Sequence, residues 1–177
     1  MNLLTVSPLW LLWILIALLA AAAIQDAIQL KISNIITGLA LGLGIVAMFV
    51  VGPQLALWQN FVVFVVILGI GTTLFSNGVL GGGDVKLFAA VALWTDMTGA
   101  LRLLFAICLA GGVLALVILF LRIVAPSPAG GRIKTLQKGG GIPYGIAIAA
   151  GTLAIIWMGQ IGANTGSYTP DIPTLAG

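Results

Sequence analysis

All the acidic side chains in this chain are four aspartates, Asp26, Asp84, Asp96 and Asp171, and two of them stand where an apolar segment begins or ends. Asp84 follows three glycines in "VLGGGDVKLF", residues 79–88, while Asp26 follows "LLAAAAIQ" and opens "DAIQLKISN". Histidine and glutamate are absent, and the one cysteine, Cys108, lies inside an apolar run. Serine–histidine and cysteine–histidine catalysis are therefore excluded, as is a zinc site built on imidazole. No disulfide can form within the chain, and Cys108 reads as a small buried hydrophobe.

Acid–base work must fall to the four aspartates, the two tyrosines or the lysines, and paired carboxylates are one arrangement that could do it. Two such groups held close together cannot both ionise cheaply, so the pair can share one proton. The charged member then activates a water and the neutral member protonates the leaving group, with no metal, cofactor or thiol required. Each aspartate also has a plainer reading. Asp84 could simply cap the helix that follows it, and Asp26 with Lys31 could be interface charges flanking a turn. "GGGDVK" lacks the spacing and the Lys-Ser/Thr ending of a phosphate-binding loop. A dyad of Ser33 or Ser76 with a lysine is chemically conceivable, but nothing in the pattern fixes its geometry.

The elements that must position these groups are set by composition. Hydrophobic residues make up 61% of the chain and charged residues 6%, with mean hydropathy +1.24, whereas a soluble domain is about half apolar and a quarter charged. The expectation is an all-α polytopic membrane protein. A helix needs about 20 apolar residues to cross the hydrocarbon core. Five runs approach that length: Pro8–Ile24, Ile32–Val51, Leu55–Phe75, Ala100–Leu121 and Ile142–Ile161. Val85–Trp94 is shorter, so six transmembrane helices are expected with the fourth anomalous. The glycines Gly81, Gly82 and Gly83 before it read as a re-entrant turn, because irregular backbone at membrane depth must be buried in protein or line a wet cavity. Residues 1–162 then form a single six-helix domain, and residues 163–177 a polar, Pro/Gly-rich tail.

Six spans bring both termini to one side. Lys31, Lys86, Arg122, Arg132, Lys134 and Lys138 fall on the other side, and Arg102 alone on the side of the termini. The excess of basic residues marks the cytoplasmic face, so both termini lie outside. Asp26 and Asp84 fall at the cytoplasmic face, Asp96 and Asp171 outside. The first run lacks the basic n-region of a secretory signal. The basic loop "APSPAGGRIKTLQKGGG", residues 125–141, is expected to hold orientation and attract anionic lipid. Scattered basic residues give no nucleic-acid footprint. Gly38 with Gly42, Gly69 with Gly71, and Ala110 to Gly112 read as sites of close helix packing, and Tyr144 as an interfacial aromatic.

Three stretches together resemble type IV prepilin peptidases. "GGGD" matches a GxGD motif through Gly81, Gly83 and Asp84. "DAIQLKISN" is similar to the Asp…basic-Ile-Pro-Asn segment that ends their first span, carrying Asp26, Lys31 and Asn34. "GIPYGIAIAAG", residues 141–151, is similar to the Pro-Tyr-Gly segment that opens their last span. The closest resemblance is to the short forms associated with tight-adherence (Flp-type) pili. It implies an intramembrane-type aspartic endopeptidase of the bacterial inner membrane that removes the short basic leader of prepilins after a glycine. Asp26 and Asp84 would be the catalytic pair, Gly81 and Gly83 the turn glycines, and Lys86 the basic residue that follows the motif. Lys31 or Lys86 could hold an aspartate charged, or could extend to lipid phosphates.

The implied partners are the prepilin, membrane lipids and the pilus-assembly machinery. Ser33 departs from the pattern, standing where the family usually has proline. The cysteine-rich domain of the long forms is missing, and nothing resembles a methyl-donor site, so no N-methyltransferase activity is expected. The rival readings are a small proton- or cation-coupled transporter using the same two aspartates, and a noncatalytic assembly subunit.

Overall fold

A computed structural model of the chain describes residues 1–124 and 141–165. Among these the fold is all helical: α1 Leu3–Val6, α2 Leu9–Gln29, α3 Asn34–Val51, α4 Trp58–Ser76 after a 3-10 turn at Leu55–Leu57, α5 Gly82–Ala92, α6 Met97–Val124 and α7 Tyr144–Thr165. Four helical stretches are long and apolar enough to cross a membrane, namely Leu9–Gln29, Asn34–Val51, Leu55–Ser76 and Met97–Leu121, while Tyr144–Gly159 is a shorter apolar helix. The basic loop lies outside the described residues apart from Gly141, and so does the tail beyond residue 165. The last helix runs three residues past the expected domain edge at 162.

The helices form because long uninterrupted apolar runs leave backbone groups no partner but one another. Large side chains cover their outer faces: Trp13, Phe49, Phe61, Phe105, Leu116 and Trp157 are all exposed. That is the reverse of a soluble protein and is what a hydrocarbon solvent favours.

At the centre sits the short helix α5, packed by α3, α4 and α7. Val85, Leu87, Ala89, Ala90, Val91 and Ala92 on it are buried, as expected of a helix apolar on nearly every side. With 11 residues it is only about 16 Å long. Beyond it the chain is tied to the N-terminus. The Asn60 amide donates to the carbonyls of both Met1 and Leu93, the Leu3 N–H donates to the Trp94 carbonyl, and the Met1 ammonium pairs with Asp96 at 3.4 Å. Leu3 and Leu4 of α1, a helix not anticipated from its four residues, are fully buried there.

Two packing expectations need correction. Positions Gly38, Gly42 and Gly69 have nothing within 4 Å of where a Cβ would stand, so they mark no helix contact within one chain; Gly71 does, against Val85. Cys108 is exposed rather than buried, because α6 turns that face away from its main partner α7, toward α4, which it scarcely touches.

Candidate active site

Asp26 is not in a loop. The first run continues as helix to Gln29, which puts Asp26 in the last turn of α2, with 4% of its surface exposed. Leu30 then reverses the chain in the left-handed conformation, φ 53°, and its N–H returns to the Asp26 carbonyl at 2.8 Å. Glycine usually takes that position, and Leu30 is the one non-glycine with positive φ among the described residues. Ser33 closes the connection: its hydroxyl accepts from the Ile35 N–H and caps α3, while its own N–H donates to Gln25 Oε1 at 2.8 Å. A proline could not make the second bond. The serine therefore ties this turn down by a side-chain contact where the expected proline would act through ring rigidity.

Asp84 lies in the first turn of α5. The cap position is Gly81, so Asp84 is not the N-cap; its carboxylate reaches back to the Gly81 N–H, as the third residue of a capping box does. The other oxygen, Oδ1, is buried without a hydrogen-bond partner among the described residues. The glycine-rich connection also differs from expectation. Gly82 and Gly83 are already helical, and the turn proper is made at Asn77–Gly78, where Gly78 takes φ 71°.

Glycine is needed at 81 and 83 for space rather than for conformation. A Cβ at Gly81 would stand 2.6 Å from Asp84 Oδ2, and one at Gly83 would stand 3.0 Å from the Ile32 Cβ and 3.2 Å from its backbone N and O. The start of α5 thus lies directly on the backbone that follows Asp26. Gly83→Val should lower stability by about 1–3 kcal/mol through overpacking, read as thermal unfolding in detergent. Gly83→Ala should fall between, since its helix propensity, better by about 1 kcal/mol, offsets part of the clash.

These local devices bring the two carboxylates together. Asp26 and Asp84 line one cavity of about 200 Å³ with Leu30, Lys31, Ile32 and the three glycines, and the charge of Asp26 is felt at Asp84. Of the other expected site residues, Gly81, Gly83 and Lys31 line the same cavity, while Lys86 and Asn34 do not. Lys86 Nζ donates to Asn34 Oδ1 at 2.8 Å on the exposed side of α5. Neither Lys31 nor Lys86 forms an ion pair with an aspartate among the described residues, although Lys31 lines the cavity.

The site has a member that sequence reasoning missed. The Gly145 N–H donates to Asp26 Oδ2 at 2.7 Å. Gly145 is the second residue of α7, where helix N–H groups lack an intrahelical acceptor. Pro143 ahead of it has no side-chain acceptor to supply, so the carboxylate from α2 does. A Cβ at 145 would meet Asp26 Oδ2 at 2.9 Å. The signal was present in "GIPYG": a glycine directly after a proline-led helix start marks a backbone that something approaches closely.

An all-helical membrane protein whose polar centre is two carboxylates in one small cavity is of a class suited to acid–base chemistry at the ends of its helices. Residues 13–116, more than half of the chain, match the model of the type IV leader peptidase family, and the chain belongs to that family. Membership makes it a leader peptidase and implies a prepilin substrate. No curated protein and no solved structure matches the chain.

Proposed function

We propose that the protein is an aspartic endopeptidase that cuts the short basic leader from Flp-type prepilins at the cytoplasmic face of the bacterial inner membrane. In this reading the chain has six spans with both termini outside, α5 being the short fourth span entered through a re-entrant turn, and Asp26 and Asp84 are the catalytic pair. The supporting observation is that both carboxylates line one cavity of about 200 Å³ and that the charge of Asp26 acts on Asp84. The transport alternative has no comparable support, since the family is one of peptidases.

The chemistry follows from the pair. The ionised carboxylate takes a proton from water as its oxygen attacks the scissile carbonyl carbon. The protonated partner then gives its proton to the leaving nitrogen as the C–N bond breaks. Acid is released with the leader and amine with the mature pilin, and the dyad again holds one proton.

Purified protein mixed in detergent with a Flp-type prepilin precursor should yield two products, the leader ending in glycine by mass spectrometry. An intact precursor after prolonged incubation would sink the proposal. Because one carboxyl must be ionised and the other protonated, kcat/KM should fall on both sides of an optimum. Below the lower apparent pKa of the pair no base remains, and above the upper one no acid remains. A rate that only rises with pH would point to a single base.

A further inference from the structure

Leu30 holds a conformation that its residue type resists. At φ 53° and ψ 39° it is left-handed, where a Cβ crowds the carbonyl oxygen that follows and where glycine, or at times asparagine, sits far more easily. The reversal after α2 needs that conformation, but it does not need a leucine. A residue kept there against its preference points to a use for its side chain.

The surroundings show what that use is. The Leu30 side chain lines the small cavity that holds Asp26 and Asp84, and its backbone N–H is bonded to the Asp26 carbonyl. Its two methyl carbons lie 3.5 and 3.7 Å from where a Cβ of Gly141 would stand. Apart from the chain neighbours of Gly141, no other described residue comes within 4 Å of that point. Four residues further along is Gly145, whose N–H donates to Asp26 Oδ2.

We propose that Leu30 is a positioning residue: its apolar side chain braces the segment entering α7, so that the Gly145 N–H meets the Asp26 carboxylate in one fixed geometry. The contacts close a ring. The last backbone bond of α2 fixes Leu30 to Asp26, the leucine side chain spans to Gly141, and Pro143, with its locked φ, carries the chain on to Gly145. This ring orients a carboxylate oxygen without bringing a second charge to it. Shortening the side chain removes the brace and leaves both helices and the turn in place. The activity part of the inference rests on the leader-peptidase reading; the geometry does not.

Leu30→Gly and Leu30→Asn suit a left-handed turn better than leucine does, so both should leave the melting temperature in detergent unchanged or raise it. Both should nevertheless lower kcat for a Flp-type precursor about tenfold with KM unmoved, part of the ~10²-fold that a displacement of about 1 Å in a catalytic group costs. Leu30→Met, apolar and of similar reach, should recover most of that rate. Hydrogen exchange reads the brace with no substrate present: the Gly145 amide should exchange about tenfold faster in the Gly and Asn variants and at the wild-type rate in the Met variant. Wild-type kcat in Leu30→Gly or Leu30→Asn, or unchanged exchange at Gly145, would overturn the proposal. Activity that falls in step with melting temperature would overturn it as well, as the mark of an ordinary packing residue. A wild-type protein that leaves the precursor whole overturns the peptidase reading instead, and exchange at Gly145 still decides whether Leu30 braces α7.

Discussion

Asp26→Asn and Asp84→Asn should each reduce kcat by about 10³-fold or more, the scale of a lost general acid or base, while the protein remains folded. Asparagine keeps shape and an acceptor oxygen, so the bonds from the Gly145 N–H and the Gly81 N–H can persist. What it removes is the capacity to take up or deliver a proton. Because the two groups act as one unit, the double variant should be little worse than either single one. Asp96→Asn is the control: this residue pairs with the N-terminal ammonium near the far end of α5, so cleavage should be unchanged. Prepilin cleavage measured under single turnover separates these cases. Near-normal activity in either single variant would remove that carboxylate from the mechanism.

The second large effect is expected from a residue that carries no ionisable group. Gly145→Ala should lower kcat about 10²-fold, the scale of a displacement of about 1 Å in a catalytic group, with little change in thermal stability. The added methyl would stand 2.9 Å from Asp26 Oδ2 and from Ile32 Cδ1. Both are the far ends of side chains that can swing aside, while Asp26 Cβ, 3.1 Å away, needs only a slight shift, so the cost in stability should be small. The movement it forces is nevertheless that of an Asp26 carboxylate oxygen, proposed as catalytic, away from its N–H donor. Full activity with a shifted melting temperature would be the opposite of this expectation and would reduce Gly145 to a packing residue.

Much of the architecture is legible in hydropathy. Each expected apolar run is a helix, and the short fourth run is the buried α5. The edges moved where side chains of low hydropathy continue a helix. Gln25 and Asp26 read as the end of a span, yet α2 continues to Gln29 because its last turn is covered by protein and the start of α7 satisfies the carboxylate. Gly82 and Gly83 read as turn because glycine is a poor helix former. They open α5 all the same, and what requires glycine is space: a Cβ at Gly83 would press on the Ile32 backbone and one at Gly82 on the Phe75 ring. The basic residues were the least legible. Lys86 was expected near the pair, but a flexible stem lets its ammonium reach Asn34 instead.

By itself the sequence determined that this is a helical membrane protein whose acid–base chemistry is left to aspartate, tyrosine or lysine, since an apolar run must satisfy its own backbone and an absent side chain cannot react. It also singled out Asp26 and Asp84, because an acid at the end of an apolar run is costly and needs a reason. Only the tertiary structure decided that both carboxylates share one cavity, that Gly145 holds the first of them, and that Leu30 reaches from the turn after α2 to the approach to α7. Those facts depend on which helix ends meet, and an all-apolar helix does not encode which of its faces turns toward a neighbour.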